Sequence, residues 1–183
     1  IFYRMRKLKN AELNRKSVEE FKKAKKNPFI IVLDNVRSLN NIGSVFRTAD
    51  GFLVEGLYLC GITATPPNKD IHKTALGSTD SVYWKYFKRT VDAVKQLKRD
   101  GYKIISIEQT DESIMLNDFH IDNNTKYALI FGHEIKGVDQ AIVNESDLSI
   151  EIPQFGTKHS FNISVSVGIV LWDLIKKIKK KRT

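Results

Sequence analysis

The sequence predicts an α/β domain on a mostly parallel sheet flanked by helices. Two observations carry this. Short apolar runs of about five or six residues recur without polar alternation, as strands covered on both faces require. Segments of helical character separate them, so strand and helix alternate along the chain. At 183 residues the chain suits one domain with an extension, and 42% hydrophobic content is enough for a core.

The elements follow in order. NAELNRKSVEEFKKAKKNP reads as a basic helix closed by Pro28. Residues 1–28 are therefore an N-terminal helical extension, and residues 29–183 the main domain. FIIVLD is a buried strand, and NIGSVFRTADGF a helix whose cap is Asn40 or Asn41. GLYLCGI is a strand, followed by the loop TATPPNKD. HKTALGS reads as a short helix and VYWKYF as a strand. TVDAVKQLKRDG is an amphipathic helix stopped at Gly101, and YKIISIEQ a strand. YALIFG is a strand, VDQAIVN a short helix and LSIEIP the last strand. From Val165 the apolar residues crowd as in a buried helix, and lysines end it.

The charge lies at the ends. Residues 1–28 hold ten Lys/Arg against three Glu, and residues 171–183 hold six against one Asp. With a net charge of +9, the residues between are mildly acidic. Basic ends of this kind suit a polyanion, most often nucleic acid, although solvated helix faces have the same composition. The lone cysteine, Cys60, excludes an internal disulfide and a cysteine-based metal cluster. No apolar run nears the roughly 20 residues of a membrane span. No secretory signal is expected, and the expected compartment is the cytoplasm.

Common chemical motifs are missing. No GxGxxG follows the first strand and no GxxxxGK[ST] occurs, so neither a Rossmann site nor a P-loop has support. GHEIKG lacks the second histidine of HExxH, and there is no GxSxG. His72, His120, His133 and His159 show no ligand spacing.

Three stretches stand out. In SLNNIGSVFRTADGF, Gly43 and Ser44 keep a helix start small, allowing a phosphate or another backbone to approach. Arg47 lies six residues after Asn41, offset by roughly 120° if both are helical. In YALIFGHEIKGVD, Glu134 is the carboxylate of a loop at the carboxyl end of a strand, where open α/β sheets bind ligands. In IPQFGTKHSFN, Ser160 is placed to cap the final helix with Asn162 in its first turn. A capped helix with one surface arginine, a connecting loop and a second cap would account for each stretch singly.

Together and in this order, NNIGSVFRTA, LIFGHEIKGVD and IPQFGTKHSFNISVSVGIVLWD resemble the three motifs of the SpoU/TrmH family of RNA ribose 2′-O-methyltransferases, in the SPOUT superfamily. The resemblance covers about residues 29–178. It implies a SPOUT fold whose C-terminal part forms a deep trefoil knot, an exception to the rule against knotted chains. It implies S-adenosylmethionine as cofactor, no metal, RNA (tRNA or rRNA) as substrate, and a homodimer with the final helix near the interface. Carried over by motif, the catalytic set is Asn41, Arg47, Glu134, Ser160 and Asn162. The cofactor set is Ile130, Phe131 and Gly132, then Ile152, Pro153 and Gln154, then Ser160 and Phe161.

Methyl transfer to a ribose hydroxyl is an in-line displacement that needs positioning and stabilisation of a developing alkoxide. A guanidinium with pKa above about 12 is a poor base, so Arg47 fits positioning or phosphate gripping. Glu134 fits orientation of Arg47 or of the neighbouring loop. Phe2, Tyr3 and the basic N-terminal residues suit unpaired RNA. The absence of a larger accessory segment tilts the expectation towards tRNA. Three alternatives stay open at this point: a non-catalytic RNA-binding protein on the same scaffold, a base-directed SPOUT methyltransferase, and a DNA-binding module, which no helix-turn-helix signature supports.

Overall fold

A computed structural model describes residues 5–180, so Phe2 and Tyr3 lie outside the described residues. The strands are β1 (Asn27–Asp34), β2 (Val54–Cys60), β3 (Trp84–Phe87), β4 (Tyr102–Ile107), β5 (Ile114–Met115), β6 (Lys126–Phe131) and β7 (Leu148–Glu151). The helices are α1 (Val18–Lys23), α2 (Leu39–Gly51), α3 (Lys69–Ala75), α4 (Ser78–Ser81), α5 (Thr90–Arg99), α6 (Gln140–Glu145) and α7 (Ile163–Lys180).

The seven strands form one sheet in the order β3-β2-β1-β6-β4-β7-β5. Every strand pairing is parallel. The central strand shows why its sequence is apolar throughout. Phe29, Ile31 and Leu33 of β1 join Ile42, Phe46, Val167 and Leu171 in the layer of α2 and α7. Ile30 and Val32 join Ala93, Val94, Leu97 and Ile142 in the layer of α5 and α6. Each fully buried side chain of this size contributes about 1.5–3 kcal/mol over an exposed one. Cys60 is part of the second layer, and burial with Asp34 nearby pushes its thiol up to about 12. It is a neutral packing residue.

Because all strands run the same way, their carboxyl ends share one edge of the sheet. From β1 the chain steps outward through β2 to β3 on one side, and from β6 it steps away on the other side to β7, with β4 between them and β5 at the far edge. The reversal therefore falls between β1 and β6, the place where such sheets open a crevice. Asp34 braces this edge. It accepts from Thr90 Oγ1, from Asn35 Nδ2 at 2.9 Å and from the Asp139 N–H at 3.2 Å, tying β1 to the starts of α5 and α6.

Several elements differ from the sequence reading. The N-terminal segment is not one helix. A 3-10 turn (Asn10–Leu13) ends at left-handed Asn14, and α1 begins after Ser17, which caps it. Phe21 of α1 is buried in the main core, so this part of the extension packs against the domain. The cap of α2 is Ser38, whose hydroxyl accepts the Asn41 N–H at 3.3 Å, while Asn40 and Asn41 are already helical. The short helix expected at His72 starts earlier, at Lys69, because Asn68 caps it from within the proline loop. The two-residue edge strand β5 has no periodic signal. It exists by pairing with β7. Among the described residues, no helix is long and apolar enough to cross a membrane.

Candidate functional site

A cleft of about 500 Å³ opens at the carboxyl ends of β4, β6 and β7, against the start of α7. Its walls come from four segments: Ile107–Gln109, Phe131–Gly137, Ile150–Gln154 except Pro153, and His159–Ile163 with Ser166.

The loop after β6 is folded tightly on itself. His133 and Gly137 exchange backbone hydrogen bonds of 3.0 and 2.8 Å, and His133 Nδ1 accepts the Ile135 N–H at 3.0 Å. This return brings the Gly137–Val138 backbone over Gly132. A Cβ on Gly132 would lie 2.0 Å from the Gly137 carbonyl carbon, so the position admits only glycine without a backbone shift. Glu108 completes the closure by accepting the Val138 N–H at 2.9 Å.

Glu134 leaves this loop and crosses to the β1–α2 connection. Its carboxylate accepts the N–H groups of Arg37 (3.1 Å) and Ser38 (2.9 Å) and the Asn41 amide (3.3 Å). Asn41 in turn accepts from Asn162 Nδ2 at 3.1 Å. Burial alone would raise the Glu134 carboxyl. The Ser38 and Arg37 N–H groups, its own N–H and the Asn41 amide outweigh it, holding the group below the ordinary carboxylate range.

Asn162, not Ser160, caps α7. Its Oδ1 accepts the Ser164 N–H at 2.9 Å, and its carbonyl takes the first helical hydrogen bond from Ser166 at 2.9 Å. Ser160 lines the cleft and makes no hydrogen bond within the described chain. One residue from each of the three motifs (Asn41, Glu134 and Asn162) therefore meets in a single hydrogen-bonded line at the edge of the cleft.

Arg47 stands apart. Asn41 is inside α2, so Arg47 is turned about 120° from it and lies about 9 Å further along the axis. Its side chain is exposed, neither lines the cleft nor bonds to Glu134, and has no hydrogen-bond partner among the described residues. Of the residues expected to hold a cofactor, Phe131, Gly132, Ile152, Gln154, Ser160 and Phe161 line the cleft. Ile130 is fully buried in the α5–α6 layer, and Pro153 faces an adjoining groove with Ile169 and Trp172.

The motif reading passed over Glu108 and Gln109. Gln109 Nε2 donates to the His159 carbonyl at 3.0 Å and Gln154 Nε2 does so at 3.4 Å, so the two amides fasten the loop before α7. Polar residues at the carboxyl end of the apolar run YKIISI were the available signal, the same one that singled out Glu134. Among the described residues, no group of three or more His, Cys, Asp or Glu is placed to hold a metal ion.

The profile of the SpoU rRNA Methylase family matches residues 28–172. The chain belongs to this family. A tRNA/rRNA methyltransferase of Borreliella burgdorferi, described as uncharacterized, is 32% identical over 161 residues, 88% of this chain and 69% of that one. The tRNA (guanosine(18)-2′-O)-methyltransferase of the same organism is 28% identical over 164 residues, 89% of this chain and 73% of that one. Among solved structures, the AdoMet-bound rRNA methyltransferase of Sinorhizobium meliloti has the same fold, with a TM-score of 0.76 at 24% identity. The match covers 83% of this chain and 57% of that one, so this SpoU-family chain spans little more than half of that enzyme.

Proposed function

We propose that this SpoU-family protein is an S-adenosylmethionine-dependent RNA methyltransferase acting on a ribose 2′-hydroxyl in tRNA or rRNA, with tRNA favoured, in the cytoplasm. The observation that carries the reading is the meeting of Asn41, Glu134 and Asn162 beside a cleft at the carboxyl ends of β4, β6 and β7. Two relatives, each 28% identical, are named a tRNA (guanosine(18)-2′-O)-methyltransferase and a 23S rRNA (guanosine-2′-O-)-methyltransferase, and both names support a ribose 2′-hydroxyl as the target.

The cleft fits the cofactor. Its 500 Å³ falls within the roughly 300–1,000 Å³ of small-molecule sites. Ile107, Ile135, Ile152 and Phe161 offer apolar surface for a flat base, while Glu108 and Glu151 offer carboxylates to a cationic ligand. S-adenosylmethionine bound there supplies an electrophilic methyl group. The chain's own residues do the rest. The Gln109–Gln154 fastening holds the loop before α7 against the cleft. Ser160, without a hydrogen-bond partner among the described residues, is available to the substrate. Arg47 presents five donors in a rigid fork to an RNA phosphate. A guanidinium is a poor general base, so this role is positioning and not proton transfer.

The fold and assembly readings go with this one. The threading of the C-terminal segment forms the trefoil knot of SPOUT proteins. The protein acts as a homodimer through the exposed apolar residues of the last turn before α7 and of α7 itself: Phe161, Val165 and Trp172 are 42%, 49% and 64% exposed.

The test is a transfer assay with labelled cofactor and undermethylated total RNA, followed by alkaline digestion. The wild type is expected to place label in alkali-resistant dinucleotides of tRNA size, and Arg47→Ala to lose about 100-fold or more in rate. Label in single nucleotides would mean base methylation and overturn the reading. Cofactor and RNA binding without transfer would move the protein to the non-catalytic class.

A further inference from the structure

The line from Glu134 through Asn41 to Asn162 has a direction, and both of its ends impose the same one. A carboxylate only accepts hydrogen bonds. With Glu134 receiving Asn41 Nδ2, the Asn41 oxygen must face Asn162, whose Nδ2 donates to it. At the far end stands a backbone N–H, which only donates. Asn162 Oδ1 must face Ser164, whose N–H and hydroxyl lie at 2.9 and 2.7 Å, and its nitrogen must then face Asn41. Either end alone fixes both amides, and the two agree.

This leaves an imbalance. Every oxygen along the line (both of Glu134, Oδ1 of Asn41 and Oδ1 of Asn162) already accepts at least one hydrogen bond. Each carboxamide nitrogen has two hydrogens and uses one. Each of these neighbouring side chains therefore keeps one N–H donor without a partner among the described residues.

Resting on the ribose-methylation reading, we infer that Glu134 is a positioning residue that turns the spare N–H groups of Asn41 and Asn162 towards the attacking 2′-oxygen of the RNA, so that this line stabilises the oxygen and takes no proton from it. The hydroxyl proton passes to water or to an RNA phosphate oxygen. Glu134 is committed to the N–H groups of Arg37 and Ser38 and has no need to titrate during turnover. Donors already aimed at a developing negative charge are among the strongest contributions an active site makes.

A double-mutant cycle with Glu134→Gln and Asn162→Asp tests this on the full chain. Asn162→Asp keeps the α7 cap, since aspartate accepts the Ser164 N–H as asparagine does. It also sets an oxygen against Asn41 Oδ1 and deletes one spare donor. Glu134→Gln removes the acceptor that fixes Asn41. In the double variant the side-chain line can run backwards, from the new carboxamide through Asn41 to the new carboxylate, while the new amide nitrogen opposes a backbone N–H of Ser38 or Arg37, a cost that the single Glu134→Gln variant carries equally and that cancels in the cycle.

Each single substitution is expected to lower Tm by about 3 °C and kcat, measured at saturating cofactor, by about 100-fold. The double variant should regain Tm above the sum of the two losses, because a consistent direction is restored, and should not regain kcat. Strictly additive Tm losses would overturn the directed line. Near-wild-type kcat in Asn162→Asp, or recovery of kcat in the double variant, would overturn the donor role and leave a structural one. A wild type giving no alkali-resistant label would sink the ribose reading and this role with it, and the Tm cycle would still report separately on the line.

Discussion

Glu134 is the residue around which the site is organised, and its role was only half legible. A carboxylate after an apolar strand, with a glycine on either side of it, points to a loop at the end of a parallel strand, where such sheets bind ligands. Its partners, the Arg37 and Ser38 N–H groups, lie 96 or more positions away in the chain, and local pattern cannot report such contacts. Ser160 and Asn162 show the same limit. Both are good capping residues, and only the geometry says that Asn162 is the cap and Ser160 is free. The Glu134 environment makes a prediction about pH. Its carboxyl is held lower in the folded state than the roughly 4.3 of an ordinary glutamate. The folded state thus gains stability that is fully present above about pH 4.3 and is lost as pH falls through the depressed folded value. The group is exposed, so solvent screening keeps the effect small. Urea unfolding between about pH 3 and 6 should show a shallower loss of stability on acidification in Glu134→Gln than in the wild type. Identical slopes would mean that the carboxylate gains nothing from its hydrogen bonds.

At the scale of elements, α2 is the clearest case of a sequence feature with two readings. Gly43 suits either a phosphate or a backbone at the start of a helix. The structure uses it for a backbone, since α3 crosses there. A Cβ on Gly43 would lie 2.2 Å from the Ile71 carbonyl oxygen and 2.1 Å from Thr74 Oγ1. Thr74 also donates to the Asn40 carbonyl at 3.0 Å, so the contact anchors the helix start that carries Asn41. Gly43→Ala is expected to cost about 1–3 kcal/mol, read as a lower urea midpoint with an unchanged slope. A stability loss below about 0.5 kcal/mol would mean that α3 moves aside freely. The long strands and amphipathic α5 were readable because their periodicities are strong. β5 and the split N-terminal helix were not. Two paired residues and a left-handed Asn14 leave no period to detect.

For the whole molecule, the charge pattern and the core divide the N-terminal extension. Residues before α1 carry basic charge without buried side chains among those described, while Phe21 belongs to the core. Removing residues 1–16 should weaken RNA binding and flatten its dependence on salt, because fewer counterions are released, and should leave Tm and cofactor affinity unchanged. An unchanged salt slope, measured by titration at several ionic strengths, would show that RNA is held elsewhere. A cut extending through Phe21 would confound the result, since losing a buried phenylalanine costs about 3–5 kcal/mol.

The sequence by itself determined the α/β class, the parallel sheet and the family, because those depend on apolar runs, their spacing and short motifs that survive in one dimension. Only the tertiary structure decided which motif residues touch. The strand order places β6 beside β1, and with it Glu134 against Ser38 and Asn41, while the six-residue spacing inside α2 turns Arg47 away from them. Strand adjacency is not written in the order of residues along the chain, and the Arg47 offset follows from spacing only once the structure places Asn41 inside α2 after the Ser38 cap.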